Sequence, residues 1–419
     1  IKTMAHFRVR YATNNGRFQP CTITNDIVLS DTHPTAFPQN RGRSHNMLQH
    51  DRLPVDEDAF FVDIWTPNTD GIKPVLFWIH GGSFSVGASG DKHNDASLLS
   101  KNADIVVVSV TYRLGYLGTA FFEGIPQQNC GFHDIITALE WTNHHIEHFN
   151  GNPRNITIGG QSSGAWYAMA LHTSPAVQHL FQRTMLFSWP GTMQAVPQET
   201  ASDIHNHFCK VLAQQTSATI TNADIHDILI TELRIGKYNK KQYNFLVSFI
   251  PSEEPNFIAK DFFTAIQKIE KPIYLQCTKN ECGIYVYKFP IGKYTPLRVI
   301  TPFLKRYCPE NTYEKLKASR KQTHDSYQTV VDVTSDILFF EPARKIVEIC
   351  GKKAIFNAFT YPAANKKTQC CHCFDLPFLF GNIDNWETSK IFQGCDFSAI
   401  RQESIVLQKK IANFVNEIY

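Results

Sequence analysis

The chain has 419 residues, 43% of them hydrophobic and 19% charged, a balance that builds a large core and excludes a mostly disordered protein. Its 41 basic and 38 acidic side chains leave a formal charge of +3 with no Lys/Arg run, so nucleic acid is not an expected partner. The longest apolar runs, such as Ile105–Val110, fall far short of the roughly 20 residues that cross a bilayer, and no transmembrane segment is expected.

Residues 1 to about 55 are polar and turn-rich, with Asn14-Asn15-Gly16, Asp31–Pro34 and Pro38–Arg43, and read as a hairpin and long loops. Strands are predicted at Phe60–Trp65, closed by Thr66-Pro67-Asn68, at Pro74–Ile79 and at Ile105–Thr111. Helical spacing of Ile135, Ile136, Leu139, Ile146 and Phe149 predicts a helix over Phe132–Phe149. Further strands follow at Ile156–Gly159 and Thr184–Ser188. Residues from about 192 to 270 read as a cap insertion, with helical stretches near 199–215 and 259–269 flanking a polar, Lys- and Asn-rich middle. Strand character returns at Pro272–Cys277. Residues 297–350 read as several helices, the clearest over Gln328–Cys350. A late strand at Ala354–Tyr361 and a closing amphipathic helix at Gln402–Ile418 complete the chain. At about 150 residues per domain the length suggests two or three domains. Strands alternating with helices, rich in Val, Ile and Phe without clean polar alternation, instead predict one α/β domain over 1–419. Its mostly parallel sheet would be covered by helices on both faces.

Eleven cysteines are an odd and irregularly spaced set, which fits free thiols in a reducing, cytoplasmic compartment. No secretory leader is legible where Ile1-Lys2-Thr3 precedes Met4, which reads as the native start. A removed leader would leave the same beginning.

The stretch that carries chemistry is Asn155-Ile156-Thr157-Ile158-Gly159-Gly160-Gln161-Ser162-Ser163-Gly164-Ala165. A strand ends in Gly-x-Ser-x-Gly and a helix follows, the order of a nucleophile elbow. Gly160 and Gly164 leave room for a strained turn at Ser162, and the Ser163 N–H and the helix N-terminus point toward the same place. A serine hydroxyl needs a base, and the base needs a carboxylate to hold its tautomer. With an elbow serine the acid and then the histidine come later in the chain. Glu281 lies just beyond the strand ending at Cys277. His372 follows the late strand by one loop. His80-Gly81-Gly82-Ser83-Phe84, after a buried strand, is a small-residue loop able to bring backbone donors to a developing oxyanion.

These segments resemble the type-B carboxylesterase/cholinesterase family of α/β-hydrolases over almost the whole length. Glu57-Asp58-Ala59-Phe60-Phe61-Val62-Asp63-Ile64-Trp65-Thr66-Pro67 is similar to S-E-D-C-L-x-L-N-I-x-x-P. Trp78–Phe84 is similar to W-I-H-G-G-G-F, and Tyr112–Gly118 to Y-R-L-G-x-x-G. Asn129–Asp134 with Ala138–Trp141 is similar to N-x-G-x-x-D and A-L-x-W. Phe149–Pro153 precedes the elbow as F-G-G-D-P precedes G-E-S-A-G, and His372–Gly381 is similar to H-G-x-E-L-x-F-V-F-G. The resemblance implies Ser162 as nucleophile, His372 as general base and then acid, and Glu281 as the orienting carboxylate. It implies oxyanion donors at the N–H groups of Gly82, Ser83 and Ser163, with Gly81 in the same loop. Ser188 matches a supporting serine behind the site, and Glu57, Asp58, Arg113 and Asp134 match structural positions.

The departures are specific. Ser83 replaces the third glycine, Ser163 the alanine after the nucleophile, Gln161 the usual glutamate and Cys282 the glycine after the acid. Ala59 replaces an early cysteine, so the family's N-terminal disulfide cannot form. Trp189 replaces a small residue, either narrowing the acyl pocket or filling core. The expected activity is hydrolysis of a small-molecule carboxylic ester without a cofactor. The alternatives are acyl transfer or a specialised biosynthetic hydrolysis on the same residues and, from a different class, a non-catalytic binding domain. Cys370-Cys371-His372-Cys373 looks metal-like but lacks the paired spacing and distant second pair of a zinc site, so no metal is expected. The sequence leaves the oligomeric state open.

Overall fold

In the computed structural model of the protein, residues 5–30, 33–40, 45–67, 69–305, 308 and 311–417 are described. Ile1–Met4, Asp31, Thr32, Arg41–Arg43, Asn68, Arg306, Tyr307, Pro309, Glu310 and Ile418, which figure in the expectations above, lie outside them.

The apolar runs form strands because each residue finds a core on its own side of one sheet. Along β4 (Lys73–Ile79), Val75, Phe77 and Ile79 enter one cluster. Leu76 and Trp78 enter the cluster on the opposite face. This two-residue alternation leaves both faces dry and explains why the run shows no polar alternation. Among the described residues nine strands make one sheet, in the order β2-β1-β3-β5-β4-β6-β7-β8-β9. The N-terminal part is antiparallel: β1 (Ala5–Thr13) pairs with β2 (Thr22–Leu29) and with β3 (Phe61–Thr66), and β3 pairs with β5 (Val106–Val110). From β5 onward every pairing is parallel, through β4, β6 (Gly151–Gln161), β7 (Arg183–Phe187), β8 (Ile273–Thr278) and β9 (Ala354–Phe359). Parallel order sends the ends of β4, β6, β8 and β9 to one edge of the sheet, where ligands of open α/β sheets gather.

The expected strands are all present, with shifted ends. β6 begins at Gly151, five residues before its apolar run, because Gly151 pairs with Lys73 across an irregularity in the ladder. The helix expected over Phe132–Phe149 spans Cys130–His145 and closes with a 3₁₀ turn at Ile146–Phe149. The polar middle of 192–270 contains an 18-residue helix, Ile225–Gln242. Asp224 caps it by accepting from the His226 N–H, and Ile228 and Ile235 pack with Phe208 and Leu212 of the helix Gln198–Leu212. The expected helix at 259–269 is reduced to Phe262–Ala265 and a 3₁₀ turn. The Gln328–Cys350 segment is two helices, Ser326–Ser335 and Glu341–Cys350, joined through a π-helical turn at Asp336–Phe340. The closing helix spans Phe397–Asn416, started by Asp396, which accepts from the N–H groups of Ser398 and Ala399. None of the eleven cysteines, all described, is in a disulfide. Among the described residues no helix is long and apolar enough to cross a membrane.

Two buried acids anchor this framework in different ways. Asp134 accepts a bidentate pair from Arg113, at 2.8 and 2.6 Å, plus the Arg113 backbone N–H at 3.0 Å, tying the chain after β5 to the helix Cys130–His145. Asp375, at the start of the helix Leu376–Phe380, has no cation bonded to it among the described residues: one carboxyl oxygen accepts from the Gln276 amide at 2.7 Å and the other finds no hydrogen-bond partner among them. Burial, reinforced by the nearby Glu281, pushes the Asp375 carboxyl up to about 7, against the Gln276 bond. An unfolded aspartate titrates near about 3.9, so over that window the folded chain holds a proton that the unfolded chain has released. Stability therefore falls as pH rises from about 4 to about 7. Asp375→Asn removes this term. Its stability relative to the parent is expected to improve by on the order of 2–4 kcal/mol between pH 4 and pH 8. Urea unfolding of both proteins at those pH values checks this, and a difference that does not change with pH refutes it.

Candidate active site

β6 ends at Gln161, the helix Ser163–Thr173 begins two residues later, and Ser162 makes the whole turn. Its backbone sits at φ 57°, ψ −122°, a region that side-chain-bearing residues seldom occupy and that costs about 1–3 kcal/mol. The glycines on either side make the turn possible. A Cβ on Gly160 would lie 2.4 Å from the Gly164 carbonyl carbon, and one on Gly164 would lie 2.0 Å from the Ile79 oxygen at the end of β4. The turn is fixed by Ser162 N–H donating to Phe187 O at 2.9 Å and by Trp166 N–H donating to Ser162 O at 3.0 Å.

The loop after β4 lies against this turn. A Cβ on Gly81 would stand 2.8 Å from Gln161 O and 3.2 Å from the Ser162 Cβ, so only glycine lets the loop approach so closely. Gly82 and Ser83 both have positive φ, 126° and 57°. No backbone carbonyl among the described residues accepts from the N–H groups of Gly82, Ser83 or Ser163. The Ser83 side chain is exposed, whereas the Ser163 hydroxyl is buried and finds no partner. His80, which starts the loop, is buried, stacked on Tyr112 at 4.4 Å, and bonded through Nδ1 to Gly81 O at 2.7 Å. Burial lowers it to about 4, so it serves the loop as a neutral ring.

Glu281 follows β8 in a tight turn and is fully buried. One oxygen accepts from Thr278 N–H at 2.8 Å and the other from His372 Nδ1 at 2.6 Å. The His372 N–H also donates to Glu281 O at 3.1 Å, so acid and imidazole are locked by both backbone and side chain. Cys282 does not disturb this turn: its N–H donates to Ser335 Oγ at 3.0 Å. Phe339 and Tyr285 flank the imidazole, with ring centroids 5.3 and 5.6 Å away. An Nδ1–H held by a carboxylate leaves Nε2 as an acceptor. The partner at Nε2 is the Gln161 amide, at 3.1 Å, and not Ser162; the same amide nitrogen also donates to the Cys373 sulfur at 3.3 Å.

Ser162, Glu281, His372 and the Gly81–Ser83 loop are thus assembled around one strand end. Ser188, at positive φ 50°, follows β7 with its hydroxyl buried and unpartnered. Trp189 is buried, with its ring 5.8 Å from Phe263 and against Gly191. Sequence reasoning marked Gln161 only as a substitution and did not foresee its bond to His372, since 211 residues separate the two. Cys370–Cys373 do not converge on a common point: Cys370 faces Phe359 O and Cys373 faces Gln161. Among the described residues the grouping with converging ligand atoms is instead His50, Asp91 and His93, which sequence reasoning missed because no short spacing announces it.

Residues 4–416 match the model of the carboxylesterase family. The chain is 27% identical over 384 residues to the para-nitrobenzyl esterase of Bacillus subtilis (strain 168), covering 88% of this chain and 76% of that protein. It is 25% identical over 384 residues to the phenmedipham hydrolase of Pseudarthrobacter oxydans, covering 90% and 77%, and 30% identical over 433 residues to human carboxylesterase 5A, covering 93% and 72%. A thermophilic PNB esterase structure superposes with a TM-score of 0.83 at 22% identity, over 99% of this chain and 88% of that one, which bears on the fold. With this match over nearly all of its length, the chain belongs to the carboxylesterase family, carboxylic ester hydrolases on the α/β-hydrolase fold.

Proposed function

We propose that the chain hydrolyses a small carboxylic ester through an acyl-enzyme on Ser162, with His372 as the proton carrier and Glu281 as its orienting acid. The observation that carries this reading is the buried His372–Glu281 bond of 2.6 Å, with Nε2 of the same ring turned to the strand end that carries Ser162. In the first step Ser162 Oγ bonds to the ester carbonyl carbon and its proton passes to His372 Nε2. The carbonyl oxygen takes the electron pair and lies among the N–H groups of Gly82, Ser83 and Ser163, which spend no backbone bond elsewhere. Such a donor typically lowers the barrier by about 2.7–4 kcal/mol. Collapse breaks the bond to the alkoxy oxygen, which leaves as the alcohol with the proton from His372. Water then repeats the sequence on the acyl-enzyme, giving up a proton to His372, and returns Ser162 and the carboxylic acid. Para-nitrobenzyl esters, the kind named in the para-nitrobenzyl esterase to which this chain is similar, are suitable first probes.

Gln161 bears on the resting state. Its amide N–H occupies the one lone pair through which His372 would take the Ser162 proton. The nucleophile therefore competes with a neutral hydrogen bond, of a kind worth about 0.5–1.5 kcal/mol net.

Two experiments test this reading. Ser162→Ala is expected to abolish labelling by a fluorophosphonate, read by intact mass. Turnover of a para-nitrophenyl ester is expected to fall on the order of 10⁶-fold, with the thermal midpoint little changed. Parent-like turnover in the variant would sink the mechanism. Gln161→Leu is expected to raise the second-order rate of fluorophosphonate labelling roughly 2- to 12-fold, the rate equivalent of the released bond. A slower rate would mean that Gln161 assists the base instead of competing for it.

A further inference from the structure

Outside the catalytic cluster, three side chains from separate segments bring their ligand atoms together. His50 Nδ1 lies 3.1 Å from Asp91 Oδ2, and His93 Nδ1 lies 3.1 Å from His50 Nδ1 and 3.4 Å from Asp91 Oδ1. Two imidazole nitrogens facing each other at this distance share either a proton or a cation. Ligands held about 2.0–2.1 Å from a tetrahedral ion are roughly 3.3–3.4 Å from one another, close to the spacing found here. The surroundings are those of a built site. His93 Nε2 is bonded to Asn385 O at 3.2 Å, which makes Nε2 the N–H and leaves the Nδ1 lone pair facing the cluster, the outer-shell arrangement typical of a metal-bound histidine. The His93 ring is also stacked on Trp386 at 3.9 Å, and Asp91 is oriented by accepting the His93 backbone N–H at 2.9 Å. Asp91 and His93 are nearly buried while His50 is part-exposed. A recess lined by Ser89, Gly90, Asp91 and Lys92 opens beside Asp91.

We propose that His50, Asp91 and His93 bind one divalent transition ion of the zinc class, with water completing the tetrahedron. Imidazole nitrogen and carboxylate oxygen are donors that suit Zn²⁺ or Co²⁺ over Mg²⁺ or Ca²⁺. The ion is structural in effect. It joins the segment around His50, the segment that follows the Gly81–Ser83 loop, and the turn at Asn382–Trp386, where Asn382 already donates to His93 O and Asp95 O at 3.1 and 3.0 Å. Binding to the folded state alone raises stability by mass action.

The test is titration of the chelator-stripped full chain with Co²⁺, read by visible absorption, followed by Zn²⁺ displacement, metal analysis and thermal unfolding. The exposed imidazoles His144 and His148 are a second potential binder, so the titration is run in His144→Gln/His148→Gln. One Co²⁺ per chain is expected, with the absorption of a four-coordinate ion, displaced by one Zn²⁺ and raising the unfolding midpoint. His50→Gln and Asp91→Asn are expected to weaken binding at least 100-fold. Should Asp91→Asn fail to fold, His50→Gln, at a part-exposed position, decides alone. Ser162→Ala is expected to bind the ion as the parent does, which separates this inference from the catalytic reading. Absence of one-to-one binding, or unchanged binding in His50→Gln, would overturn it.

Discussion

The rest of the architecture serves one backbone conformation. Ser162 is held at φ 57°, ψ −122°, which the isolated chain would leave at once. It persists because β4 and β6 are parallel neighbours and because Gly160 and Gly164 let the helix start touch the end of β4. That contact sets the height of the turn above the sheet. It also puts the loop after β4 within reach of the turn, so the same packing that strains the serine brings Gly81 beside it. Strain of this kind survives only where the surroundings over-determine it, and here a strand, a helix and a loop all do.

Two carboxyl groups buried under this edge show how local bonding decides what a burial cost produces. Glu281 has a donor for each oxygen, a backbone N–H and an imidazole, so both oxygens are held by fixed partners. Asp375 has one amide and an orphaned oxygen, and burial raises it toward neutrality. The same residue class is thus fully bonded in one place and pushed toward its protonated form, a few residues from His372, in the other.

Much of the site was legible because its chemistry forces short patterns. A strained serine requires close glycines, and an approaching loop requires Gly81-Gly82. An acid and a base must also follow the ends of later strands. What the sequence hid is what depends on distant partners. The bond from Gln161 to His372, the support of Cys282 by Ser335, and the meeting of His50 with Asp91 and His93 join residues dozens to hundreds of positions apart. The helix Ile225–Gln242 was obscured for a related reason: its apolar face is narrow, and it is stable because Gln198–Leu212 covers that face, not because of its composition. β6 started earlier than its apolar run because a neighbour's edge, and not hydrophobicity, recruited Gly151.

The π-helical turn at Asp336–Phe340 carries a further consequence. It holds one residue more than an α-helical turn would, between Ser335, which supports the Glu281 loop, and the helix Glu341–Cys350, whose Pro342, Ala343 and Ile346 are buried. Phe339, inside the turn, packs on His372. Removing a single residue there would restore ordinary winding with the flanking helices still in phase, since the π turn spends one extra residue on about the same rotation, so the buried face of Glu341–Cys350 would stay put and the change would fall on the turn that carries Phe339. The extra residue therefore serves the wall beside His372 and not the phase of the helices on either side. Substitutions within the turn can be absorbed by side-chain repacking, but a one-residue deletion would be felt where the Phe339 ring stands beside His372.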